Sequence, residues 1–118
     1  MTPTPDLQPL RPIEFEILLA LADGECHGYS IIQQIEARSE GVLRVETGTL
    51  YRALRRLVAD GLARPSARRP TTAAGDDERR RYYAITPLGR QAATAEASRL
   101  ARLVSAARVA KLLPKAAR

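Results

Sequence analysis

At 118 residues the chain has room for one domain with a modest core, and a second domain of ordinary size is not expected. The formal charge of +6, carried far more by arginine than by lysine, points to a polyanionic partner such as nucleic acid or an anionic membrane surface, although a G·C-rich genome also tends to encode alanine and arginine in excess. The single cysteine, Cys26, excludes an internal disulfide. Nothing at the N-terminus resembles a secretion signal and no apolar run approaches the roughly 20 residues that cross a bilayer, so a cytoplasmic location is expected.

Residues 1–9, MTPTPDLQP, are rich in proline and have little to bury, which predicts a flexible arm. Pro12 is a good first helical residue, and the following IEFEILLALA is apolar on most sides, as in a helix buried by several neighbours. Asp23-Gly24 ends it. A second helix is predicted from about His27 or Gly28 to Arg38, with Ile31, Ile32 and Ile35 inward and Gln33, Gln34 and Glu36 outward. Ser39-Glu40-Gly41 breaks the chain, and VLRVETG leads into a third helix with Thr47 placed to cap it.

That third helix, within GTLYRALRRLVADGLA at residues 48–63, separates cleanly at about 100° per residue. Leu50, Ala53, Leu54, Leu57 and Val58 form one apolar face. Thr49, Arg52 and Arg56 lie opposite, with Tyr51 and Arg55 along the flank. Asp60-Gly61 supplies the stop. The competing reading of this pattern is a surface helix with solvated arginines.

Leu62 to Arg68 and Arg80 to Ile85 then form two short extended candidates joined by a long polar loop, which predicts a two-stranded hairpin. Pro65 restricts its strand to an edge. Thr86-Pro87 opens the last helix with an N-cap and a proline at the first position, and Pro114 is expected to stop it at about Leu113. Leu88, Ala92, Ala95, Leu100, Leu103, Val104 and Ala107 share its apolar side, interrupted by Arg99. A helix of about 25 residues, near 40 Å long, exceeds what so small a domain can cover, so a second copy of the chain is expected over this stripe. Its apolar residues are mostly alanine, which favours helix pairing over lying on a membrane.

The predicted fold class is therefore mainly α with a small β-hairpin. It is a winged helix-turn-helix at residues 10–86, a dimerisation helix at 87–113 and a tail at 114–118.

The segments HGYSIIQQIEARS (27–39), GTLYRALRRLVADGL (48–62) and RRYYAITPLGR (80–90) resemble the PadR family of bacterial transcriptional regulators, in its short form with a single C-terminal helix. The resemblance implies a homodimeric repressor that reads a near-palindromic operator in double-stranded DNA under the control of a small effector or stress. It also implies that Gly48, Thr49, Tyr51 and Arg52 lie against DNA, with the amide groups at the helix start aimed at phosphate. Arg55 and Arg56 are further DNA candidates, and Tyr29 is expected to donate to a phosphate. For Tyr51 and Tyr29 the competing role is packing between helices. In the wing run Arg79-Arg80-Arg81, strand alternation sends neighbours to opposite faces, so one or two are expected on DNA, and Arg79 and Arg80 are taken as candidates.

His27 stands beside Cys26 and Glu25, but no second histidine or cysteine exists to complete a metal or nucleophile set. No nucleophile–base pair or glycine-rich phosphate loop is present either, so no enzymatic activity, metal or cofactor is expected. A winged-helix module that binds protein and a non-specific nucleic-acid binder remain the alternatives.

Overall fold

The computed structural model describes residues 9–66 and 81–114. The expected N-terminal arm, apart from Pro9, lies outside these residues, as do the hairpin tip with Arg79 and Arg80 and most of the tail. The described elements run α1 (Pro12–Ala22), β1 (Cys26–His27), α2 (Gly28–Arg38), α3 (Thr47–Ala59), β2 (Ala63–Pro65), β3 (Tyr82–Ile85) and α4 (Pro87–Val109).

Each helix begins and ends for a local reason. Pro12 occupies the first turn of α1, where Glu14 Oε1 accepts from the backbone N–H of Arg11 at 2.9 Å. His27 Nδ1 caps α2 by accepting from the Ser30 N–H at 3.1 Å, and Thr86 Oγ1 caps α4 by accepting from the Gly89 N–H at 3.0 Å. The expected cap at Thr47 is corrected. Thr47 is already the first helical residue of α3, and Glu46 at the N-cap makes no side-chain cap bond.

At its other end α3 closes on Gly61, whose φ of +77° lets Leu62 donate back to the Leu57 carbonyl at 2.8 Å. The same closure ends α4 earlier than expected. Lys111 takes a φ of +65° and Leu112 donates to the Ala107 carbonyl at 2.8 Å, so the helix stops at Val109. Pro114 is thus not the stopping residue: it has no N–H to offer Ala110 and disfavours helical geometry at Leu113, and the chain has left the helix before reaching it.

The sheet has the order β1-β3-β2, with both pairings antiparallel. The expected two-stranded hairpin is corrected to three strands: Cys26 and His27 pair with Tyr83 and Tyr82 on the free side of β3. Two residues carry no alternating pattern, so only the tertiary pairing reveals β1. Pro65 sits on the edge strand, where its missing N–H leaves the β3 ladder intact.

The core lies between α1, α2 and α3. Ile17, Leu18, Leu21, Ile31, Ile35, Leu50, Leu54 and Leu57 are fully buried, each worth about 1.5–3 kcal/mol of apolar transfer. α4 packs by its first half on α1, with Ala92 buried, while its second half extends away and is exposed. The joint between α3 and α4 is backbone against backbone. A Cβ on Gly89 would lie 2.0 Å from the Leu62 carbonyl oxygen and 2.9 Å from Ile85 Cγ1. Gly89→Ala is therefore expected to destabilise the fold by about 2 kcal/mol, an overpacking cost, read as a lowered urea midpoint with unchanged m.

Candidate nucleic-acid interface

The inner face of α3 is sealed: Leu50, Ala53, Leu54 and Leu57 bury completely. Its outer face carries Gly48, Thr49, Arg52 and Arg55, all exposed. Arg52 Nη2 donates to Thr49 Oγ1 at 3.3 Å, and Arg52 Nη1 lies 3.2 Å from where a Cβ on Gly48 would be. The guanidinium is thereby held over the first turn of α3, at the positive end of the helix dipole. Tyr29, half exposed near the start of α2, lines a cleft of about 10 Å³ with Ile32, Thr47 and Tyr51. Gly48, Thr49 and Arg52 thus share an exposed surface at the beginning of α3, and Tyr29 shares its cleft with Thr47, the residue just before them.

Two of the expected contacts are placed elsewhere. Tyr51 is 6% exposed, and its ring fills the space that a side chain on Gly28 would need, with Oη only 2.2 Å from that Cβ position. It packs between α2 and α3, which accounts for glycine in the HGYS stretch. Arg56, expected on the outer face, turns toward α1, and its Nε donates at 3.3 Å to Glu14 Oε2, whose other oxygen caps α1. The pair braces α3 against α1.

Arg55 lies toward the sheet, beside an open groove of about 330 Å³ lined also by Val58, Pro65, Arg81 and Tyr83. Arg81 is exposed at the start of β3 and flanks the same groove. The sequence left Arg81 undecided within a run of three. Arg44 was passed over altogether: it is exposed in the loop before α3 and shares a groove with Thr49. Its only sequence signal was being a lone basic residue in VLRVETG.

The Glu25-Cys26-His27 stretch has structural work. His27 caps α2 and meets Tyr82 edge-on, with ring centroids 5.3 Å apart. Cys26 Sγ accepts from Gln34 Nε2 at 3.5 Å, and Glu25 accepts from Ser66 Oγ.

The stripe on α4 divides. Leu88 is half-buried and Ala92 is buried against the chain's own core, so Ala92 is corrected from a dimerisation residue to an intramolecular one. Leu103 at 55%, Val104 at 39% and Ala95 are exposed, and Leu100 and Ala107 are half-buried. Between the two halves stands Glu96, buried, which accepts from the Leu10 N–H at 3.3 Å and from Arg99 Nε at 3.1 Å. Arg99, which interrupts the stripe in sequence, is the partner of this carboxylate. Among the described residues, no helix is long and apolar enough to cross a membrane.

The profile of the transcriptional regulator PadR-like family matches residues 17–95. The chain belongs to the PadR-like family. It is 39% identical over 82 residues to a transcriptional regulator of Mycobacterium tuberculosis, covering 70% of this chain and 69% of that one. It is 41% identical over 87 residues to an uncharacterised 37.1 kDa protein of a Streptomyces fradiae transposon, covering 74% of this chain but only 22% of that protein's length. Among solved structures, a PadR-like transcription factor of Bacteroides fragilis superposes with a TM-score of 0.66 at 26% identity, over 81% of this chain and 86% of that one. Bacillus subtilis PadR bound to operator DNA superposes with a TM-score of 0.57 at 22% identity, over 69% of this chain and 44% of that one, which is a likeness of fold. Within the PadR-like fold, Glu96 and Arg99 hold the first half of α4 to the segment that leads into α1.

The Arg99 guanidinium, outweighing burial and assisted by the Leu10 N–H, holds the Glu96 carboxyl below its ordinary value of 4.5. A carboxyl lowered by folding stabilises the fold fully above that ordinary value and loses the contribution as pH falls through the lower, folded value. Glu96→Gln is therefore expected to melt at a lower temperature than the wild type at neutral pH. The difference should shrink steadily on acidification below about pH 4.5, as followed by circular dichroism melts across pH.

Proposed function

We propose that this chain is a sequence-specific, homodimeric DNA-binding repressor. Residues 10–86 are its reading head and the helix from Pro87 its dimerisation element. The observation that carries this reading is the asymmetry of α3: a completely buried apolar face backs an exposed face where Arg52 is held over Gly48 and Thr49 at the helix start. Such a face fits the major groove, where an arginine fork meets guanine O6 and N7. The family and the operator complex of a protein with this fold support the choice of DNA over another anion.

In this reading Gly48, Thr49 and Arg52 meet the base edges and the first phosphates, Tyr29 donates to a phosphate beside them, and Arg55 and Arg81 flank the sugar-phosphate backbone in the groove between α3 and β3. The wing candidates Arg79 and Arg80 extend the same basic edge in sequence. Arg56 is spent on Glu14 and contributes by setting the tilt of α3. A second copy covers Leu100, Leu103, Val104 and Ala107, which places two recognition helices in successive major grooves of a near-palindromic site. Occupation of that site represses by excluding other proteins. A small effector or a stress that changes the dimer geometry changes the spacing of the two heads and thus the affinity.

The first test is fluorescence anisotropy on DNA from upstream of the chain's own gene and on a scrambled duplex, across a salt series. Preference for the first duplex that persists as salt rises supports the reading. Equal, steeply salt-dependent binding to both would reduce the protein to a phosphate-driven binder. On the preferred duplex, Arg52→Ala is expected to cost about 1–3 kcal/mol and relax selectivity at one position. The doubly substituted Leu103→Glu, Val104→Glu chain is expected to sediment as a monomer while keeping its helical content.

A further inference from the structure

The first half of α4 is tied to its surroundings by side chains with different destinations. Arg90 Nη2 donates to the Ala22 carbonyl at 3.0 Å, and Glu96 accepts from the Leu10 N–H, so these lead to the end of α1 and to the segment before it. Thr86 leads to the recognition helix. Its hydroxyl donates at 2.6 Å to the carbonyl of Gly61, the residue that closes α3, and accepts at 3.0 Å from the Gly89 N–H in the first turn of α4. Its own N–H donates at 3.1 Å to the Leu62 carbonyl, the same carbonyl that presses on Gly89. One side chain therefore bonds the end of α3 to the beginning of α4 across a contact with no room for slack.

We propose that Thr86 is the positioning residue that carries the geometry of the dimerisation helix to the recognition helix, and so sets the half-site spacing the dimer accepts. The proposal rests on the dimeric DNA-binding reading above. One base pair added between half-sites turns one of them by about 34° and shifts it by about 3.4 Å. A head locked to α4 at both ends of the Thr86 bond cannot follow that change without distorting the DNA or the dimer. A head freed at the Gly61 carbonyl keeps the Thr86 N–H bond to Leu62 but loses the side-chain tie that fixes its angle to α4, and so follows the change at a smaller cost.

The test uses the full chain and the palindrome that the wild type selects from a random-sequence duplex library, with its centre lengthened or shortened by a base pair. Thr86→Asp is the informative variant: an ionised carboxylate still caps the Gly89 N–H but has no proton to give the Gly61 carbonyl. Wild type and Thr86→Ser, which keeps the donor, are expected to lose about tenfold in affinity when the centre changes. Thr86→Asp should lose less than about threefold, while binding a single half-site as the wild type does and sedimenting as the same oligomer. Thr86→Val, which removes the hydroxyl at nearly equal volume and with it the cap on the Gly89 N–H as well, supplies the comparison where Thr86→Asp does not fold, read once its helical content matches the wild type. A wild-type spacing profile in the folded variant overturns the role of Thr86 and leaves the DNA reading standing. A wild-type selection that yields no preferred sequence overturns the DNA reading itself.

Discussion

The carbonyl oxygen of Leu62 occupies the space that a side chain on Gly89 would need, and the architecture is organised around that backbone contact. Leu62 is the first residue after α3 closes, and its N–H still bonds back to Leu57. Ala63 then opens β2, pairing with Ile85, which directly precedes the Thr86 cap of α4. The end of α3, the pairing of β2 with β3 and the start of α4 thus meet at one joint. A methyl group at position 89 would push all three apart. This is why the ITPLGR stretch can be read as a joint as well as a helix start.

Net charge is distributed by the same economy of partners. Glu14, Glu16 and Glu96 each hold an arginine, respectively Arg56, Arg38 and Arg99, and Arg90 is occupied by the last turn of α1. Glu14 and Glu96 also satisfy backbone N–H groups at Arg11 and Leu10. The exposed Glu16–Arg38 pair is worth little by itself, whereas Glu14 and Glu96 are buried carboxylates that need their partners. Their placement matters more than their strength: these arginines knit α1 to α2, α3 and α4, whereas Arg44, Arg52, Arg55 and Arg81 lie exposed around α3 and the wing. Exposed arginines thus border the surface along which the proposed DNA would run.

Local chemistry made the helical scaffold legible. Proline at position 12, Asp23-Gly24, Ser39-Glu40-Gly41 and Asp60-Gly61 are signals that act within a few residues, and the chain obeys them. What eluded the sequence depends on distant partners. β1 exists only because β3 lies beside it. Arg56 turns away from the outer face because Glu14, forty-two positions earlier, waits across the interface with α1. Tyr51 goes inside because Gly28 leaves a hollow for its ring, a fit that a helical wheel of α3 alone cannot register. Gly48, Thr49 and Arg52 were readable because their exposure follows directly from the sealing of the opposite face.

The α4 stripe shows why periodicity predicts a buried face without saying what buries it. A single helical pattern runs from Leu88 to Ala107, yet Ala92 is covered by this chain while Leu103 stands exposed among the described residues. The change of surroundings falls at Glu96 and Arg99. A buried carboxylate in the middle of an apolar stripe would be costly unless satisfied, and here Arg99 and the Leu10 N–H satisfy it. The polar interruption that looks like a flaw in a dimerisation stripe is the anchor that ends the intramolecular half. Beyond it, Leu103 and Val104 continue the pattern while exposed, the face assigned to the partner in the proposed dimer, and Arg102, Arg108 and Lys111 keep the flanks in water. In the proposed dimer, pairing through Leu103 and Val104 would make the orientation of α4 depend on the contact at the dimer axis, which suits a helix proposed to set the spacing of two reading heads.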